Sequence, residues 1–333
     1  MRAKSYCRLG SLESLHRNEA GLVALDAADA ALEASSEKQS QSWVEVWLDV
    51  QLERVEAYYW KNEVERGGEA VTRARPVLEA RGTPRQKTHF YSFVGLQRAQ
   101  ASRYIIDDET LADLRAAWEA VLEGQLENEM LASWFYLGFG LLWRGDLVEA
   151  EPELRGCLSA ARRAGDKALE LRCLTYLALT HLRAHDVGAV GELVPQLEVL
   201  ARELAFLEYE GMAYAMRSWM AWKEGDGDKV EELAAEAIER WQVMGERWGT
   251  SEYHYPFRWV CLWPVIAVRL ARRDDGQAIE AVQQLLQNPQ MRMPRELETM
   301  LEAVVAAWEI GNPSRAGEQL TQALELAEQL GFA

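Results

Sequence analysis

The chain has 333 residues and a formal net charge of -17, with 49% hydrophobic and 27% charged side chains. That acidity argues against a nucleic-acid partner, since such affinity comes largely from Lys and Arg neutralising phosphates, and no apolar run approaches the roughly 18–20 residues that span a bilayer. The opening residues Met1 to Tyr6 lead into a polar helical pattern rather than an apolar leader, and Cys7, Cys157, Cys173 and Cys261 show neither CxxC pairing nor metal-ligand spacing; a cytoplasmic protein with reduced, buried thiols is expected.

Ala, Leu and Glu are abundant and only 9 prolines interrupt them, which favours helix throughout. Over the first 125 residues, helix pairs are expected near 5–35, 43–80 and 86–123, with breaks at Gly67-Gly68, Gly82-Thr83-Pro84 and Asp107-Asp108. From 128 to 247 the chain becomes periodic. Gly145-Asp146, His185-Asp186 and Gly225-Asp226 fall 40 residues apart, each between two apolar helical patterns. In the clearest repeat, Trp134, Leu137, Gly138 and Leu141 precede Gly145, and Ala150, Leu154 and Cys157 follow it. That is the tetratricopeptide pattern. The small Gly138 and Ala150 let two helices approach, Trp134 and Leu154 fill the space beside them, and Gly145 suits a left-handed helix end. Asp146 with Glu149 is expected to form a capping box on the second helix. The same frame gives Leu174, Leu177, Ala178, Val190, Val194 and Leu197, and then Tyr214, Ser218, Val230, Ala234 and Ala237.

Two further hairpins are expected over 254–330, the last opening at Asn312-Pro313 as N-cap and first helical residue. Together these elements predict an all-α, tetratricopeptide-type α-solenoid of about eight helical hairpins in a right-handed superhelix. It is one domain over 1–333, with degenerate hairpins in 1–125, regular 40-residue repeats in 128–247 and two C-terminal hairpins in 254–330.

Chemistry is harder to find. The sequence holds no Gly-rich phosphate loop, no zinc-protease helix motif and no Gly-x-Ser-x-Gly elbow. His181 and His185 share a helical face, but no Cys or carboxylate stands at a matching offset on the same helix, so no metal site is expected. Glu231-Glu232 and Asp274-Asp275 read as helix starts and solvated faces. No catalytic set, no cofactor and no enzymatic activity are expected.

The tryptophans stand out, 13 in all. In the repeat frame, groove-facing positions of successive first helices carry Phe135, Phe139 and Trp143, then Arg172, Thr175 and Arg183, then Trp219, Trp222 and Lys223, and then Trp263. If this wall is open, it suits an extended peptide, a partner helix or a flat organic ligand; if neighbouring helices fill it, the rings are packing. Tyr255-Pro256-Phe257 is the oddest segment: Pro256 fits a first helical turn, while Pro264 falls inside the same apolar helix and removes a hydrogen bond there.

Trp43–Arg54 with Tyr58-Tyr59-Trp60, Gly138–Asp146, Arg172–Leu177, Tyr255-Pro256-Phe257 and Ala306-Ala307-Trp308-Glu309 together resemble the C-terminal helical region of large bacterial signalling ATPases. In those proteins an AAA/STAND-type ATPase module, often preceded by an adenylate-cyclase-type domain, is followed by a long repeat array. The resemblance covers nearly the whole chain. It implies a protein-interaction and regulatory scaffold, the sensor arm of a bacterial ATP-dependent signalling protein, and it carries over no catalytic residue. The expected partner is a protein or peptide held in the aromatic groove, an ATPase or cyclase domain of the same polypeptide being one candidate. A small-molecule effector sensed by the same groove is the alternative.

Overall fold

The computed structural model of the protein describes residues 19–36, 38, 40–61, 63–247, 255–287 and 290–333; Cys7 and the start of the first expected helix pair lie outside them. Among the described residues there are fifteen helices and no strand. In chain order they are α1 (Glu19–Glu33), α2 (Gln41–Lys61), α3 (Val64–Arg81), α4 (Pro84–Ala101), α5 (Asp108–Gly124), α6 (Glu127–Arg144), α7 (Leu147–Ala164) and α8 (Lys167–Arg183). There follow α9 (Val187–Leu204), α10 (Leu207–Lys223), α11 (Gly227–Arg247), α12 (Trp259–Ala271), α13 (Asp275–Leu286), α14 (Arg295–Glu309) and α15 (Pro313–Gln329). The fold is all-α, a run of tetratricopeptide-type helical hairpins.

The period has a local cause. Left-handed backbone recurs every 20 residues, at Gln125 (φ 49°), Gly145 (98°), Gly165 (73°), His185 (57°), Ala205 (55°) and Gly225 (81°). In each turn the next residue's N–H reaches back to the carbonyl five positions earlier, as in Asp146 to Leu141 (3.0 Å), Asp186 to His181 (2.9 Å) and Asp226 to Ala221 (2.9 Å). These bonds satisfy carbonyls that a helix end leaves orphaned. Asp166, Asp186 and Asp226 then N-cap the following helix, accepting from Leu169 N (2.9 Å), Ala189 N (3.0 Å) and Lys229 N (3.2 Å). The 40-residue repeat is therefore two copies of one helix-and-turn unit.

Three local expectations are corrected. Gly67-Gly68 does not break the chain but lies inside α3, where a Cβ on Gly67 would fall 1.5 Å from Gln97 Nε2; the glycine serves close approach, not a turn. The capping box at Asp146 does not form, because the Asp146 carboxylate turns back to Arg144 Nε at 3.3 Å. A complete box appears instead at Thr83 and Gln86. Pro256 precedes α12 rather than starting it, and only Pro264 lies within that helix. Asn312 caps α15 through Arg315 N at 3.2 Å, with Pro313 at the first helical position.

The chain divides into two compact units, one of Met1–Ser102 with Ile106–Gly140 and one of Arg103–Ile105 with Leu141–Ala333. The first is built on Leu25, Leu48, Val55, Ala74, Leu78 and Phe90, all buried. Its Asp113 carboxylate lies between Arg75 (3.3 Å) and Arg98 (3.2 Å). In the second unit α8 packs on α10 and α10 on α12, so first helices of consecutive hairpins stack directly, while α12 also meets α15. Stacked first helices give repeat units a continuous core.

Candidate ligand groove

Eight of the ten residues expected on the aromatic wall, Trp143 to Trp263 in chain order, belong to the second unit; Phe135 and Phe139 belong to the first, where both are buried and their rings lie 6.2 Å apart. Trp219 and Trp263 are 0% exposed and Trp143 is 4% exposed. These tryptophans of the wall are thus covered, and what covers them is visible in the packing. Two segments of the chain itself lie against it.

The first is Tyr255–Arg258. Phe257 stacks on Trp143 with centroids 4.6 Å apart and planes 12° apart, while Tyr104 (4.9 Å) and Tyr176 (6.3 Å, edge-on) close around it. Burial pushes the Tyr104 phenol up to about 12. Pro256 O accepts from Met291 N (2.8 Å) and Tyr255 O from Gln290 Nε2 (2.8 Å), which fixes the segment. Tyr255 also stacks on Trp241 at 4.8 Å.

The second is Leu330–Ala333, after α15. Phe332 and Ala333 are buried, with Trp259 edge-on to the Phe332 ring at 5.2 Å and the Arg183 guanidinium over it at 4.7 Å. Arg183 Nη1 donates to Leu142 O (2.7 Å) and Nη2 to Leu330 O (3.5 Å). Burial lowers its pKa to about 10. His185 Nε2 meets Glu328 O at 2.8 Å, and Lys223 Nζ meets the Glu328 carboxylate at 3.3 Å. The last turn of α15 has no basic residue of its own, so Arg183 of α8 and Lys223 of α10 complement its negative end.

Trp222 is half-buried, with Lys223 Nζ 3.9 Å above its ring and 5.6 Å from the Trp219 ring. This corner is a partly accessible part of the wall, as are Arg172 and Arg183. Arg172 lies near the Glu208 carboxyl, which burial raises and the Arg172 charge partly restores. His181 approaches Asp186 (3.7 Å) and Arg155 (3.4 Å). The three described cysteines are buried, and burial pushes the Cys261 thiol up to about 12. In the first unit a separate, mostly apolar cleft of ≈ 460 Å³ is lined by Trp43, Trp47, Pro76 and Val77 together with Lys38 and Arg81.

Sequence reasoning missed Tyr104, Tyr176, Trp259 and Phe332. A signal existed for the last, since Gly331-Phe332 repeats the glycine-turn spacing of Gly311-Asn312.

Among solved structures the apo form of RapI is similar, with a TM-score of 0.62 at 12% identity over 98% of each chain. A Rap protein complexed with competence and sporulation factor is similar too, with a TM-score of 0.68 at 12% identity over 99% of this chain and 86% of that one. The chain shares the Rap fold. No family model matches the sequence, and no curated protein does. Among the described residues no helix is long and apolar enough to cross a membrane.

Proposed function

We propose that this protein is a regulatory binding module without catalysis of its own, whose second unit receives a peptide or a segment of a partner protein along the wall running from Trp143 to Trp263. The observation that carries this is one cation, Arg183, held against an aromatic face of the wall with no acid to meet among the described residues. Among the described residues Arg183 has two carbonyls and a ring as partners and no carboxylate. Burying a cation in that way is costly for a wall that serves packing alone. The likeness to a Rap protein solved with competence and sporulation factor supports the reading at the level of fold. The finer role, sensor arm of a bacterial ATP-dependent signalling protein with an ATPase or cyclase domain as partner, rests on the sequence resemblance.

The half-buried Trp222 beside Lys223 is the accessible anchor. A random-peptide library panned on the full chain should enrich apolar sequences carrying an acidic group. Trp222→Ala should weaken the enriched peptides at least about tenfold, with helical circular dichroism unchanged. No enrichment over a polar control peptide, or full binding to Trp222→Ala, would overturn the reading.

A further inference from the structure

Phe332 does more than end a helix. Gly331 takes a left-handed φ of 74°, as Gly311 does (76°), and Phe332 N reaches back to Ala327 O at 2.8 Å, so the segment leaves α15 through the same turn that closes the repeats. Where it goes is unusual. The Phe332 ring enters a space bounded by the Arg183 guanidinium on one side and the Trp259 edge on another. Both neighbours keep a buried donor unused: Arg183 Nε and Trp259 Nε1 have no acceptor among the described residues. The one acceptor that the segment does offer Arg183, Leu330 O, stands at 3.5 Å, at the outer edge of a hydrogen bond. A ring is held well while the donors around it are held poorly. Core packing alone leaves such donors unsatisfied at a cost, and a guanidinium with an unused N–H suits a carboxylate better than a distant carbonyl.

We propose that Arg183 and Trp259 form a subsite for an aromatic side chain lying next to an acidic group, and that Leu330–Ala333 occupies it as a tethered stand-in for the same part of a bound peptide. The idea deepens the peptide-binding reading and rests on it. Binding of a peptide here then requires the segment after α15 to leave. Its hold is local: a Cβ on Gly331 would meet Arg183 O at 2.4 Å, and the positive φ disfavours any side chain there.

The test uses the full chain and a labelled peptide, acetyl-Gln-Leu-Gly-Phe-Ala with a free carboxylate, titrated by fluorescence anisotropy. Gly331→Val should evict the segment and bind the peptide at least tenfold more tightly than the unsubstituted chain. Adding Arg183→Gln should remove that gain, and so should replacing Phe by Ala in the peptide. Should Gly331→Val fail to fold, Phe332→Leu keeps an apolar fill but withdraws the ring from Arg183, and a gain of at least threefold is expected. A folded variant that binds no better than the unsubstituted chain, or a gain indifferent to Arg183, overturns the proposal. If library peptides still bind in a Trp222-dependent way, the segment is packing only and the peptide-binding reading survives. If no peptide binds any variant, both fall.

Discussion

Trp143 and Phe257 lie face to face, 4.6 Å between ring centroids and 12° between planes, although 114 positions separate them in the chain. This contact joins the end of α6 to the segment leading into α12, and Tyr104, Tyr176 and Trp259 complete the aromatic box. Phe257→Ala should therefore cost about 3–5 kcal/mol, the range for removing a buried phenyl. Urea denaturation checks it, and a loss under about 1 kcal/mol would mean that the box collapses to fill the gap.

Gly211 on α10 faces Trp241 on α11 so closely that a Cβ would fall 2.4 Å from the indole nitrogen, which donates to Glu208 O at 3.1 Å. The ring also stacks on Tyr255 at 4.8 Å. Gly211→Ala should destabilise by about 1–3 kcal/mol through overpacking. A thermal melt matching the unsubstituted chain would show that the ring can yield.

Ala205 occupies a left-handed turn position that glycine holds at Gly145, Gly165 and Gly225. A side chain in that region costs roughly 1 kcal/mol or more. Ala205→Gly should raise the melting temperature, and Gly165→Ala, which meets nothing within 4 Å, should lower it through backbone strain alone. Equal melts for both would contradict the turn assignment.

Asp107 caps α5, accepting from Thr110 N at 2.7 Å. The hydrogen bonds from the Thr110 side chain and backbone hold its carboxyl below the ordinary 3.8. A depressed folded value means that the stabilisation is fully present above 3.8 and is lost as pH falls through the lower folded value. Asp107→Ala should cost about 1 kcal/mol at neutral pH. That difference should shrink in urea titrations repeated at about pH 3, and a difference constant across pH would remove the charge from the explanation.

Much of this fold is legible in the sequence because its causes are local. A helix end needs a residue that tolerates positive φ, and the next helix needs an acceptor at its start; Gly145, Gly165 and Gly225, with Asp166, Asp186 and Asp226, write both in plain spacing. Repetition then reinforces each signal, since every hairpin solves the same packing problem. Legibility fails where one residue can serve two ends. Gly67 has the composition of a break and the job of a close contact, and only the position of Gln97 separates the two. Asp146 has a cap's spacing, yet Arg144 competes for its carboxylate.

The candidate site divides along the same line. That Trp143, Arg183, Trp219, Trp222, Lys223 and Trp263 share successive first helices follows from the 40-residue phase, which is a property of the sequence. What covers them does not. Phe257 and Phe332 reach the wall from positions far along the chain, and their places depend on how the hairpins stack and on backbone bonds such as Met291 N to Pro256 O. Periodicity reports which face a residue occupies on its own helix, whereas the partner of that face is set by long-range packing, which leaves no fixed spacing to read.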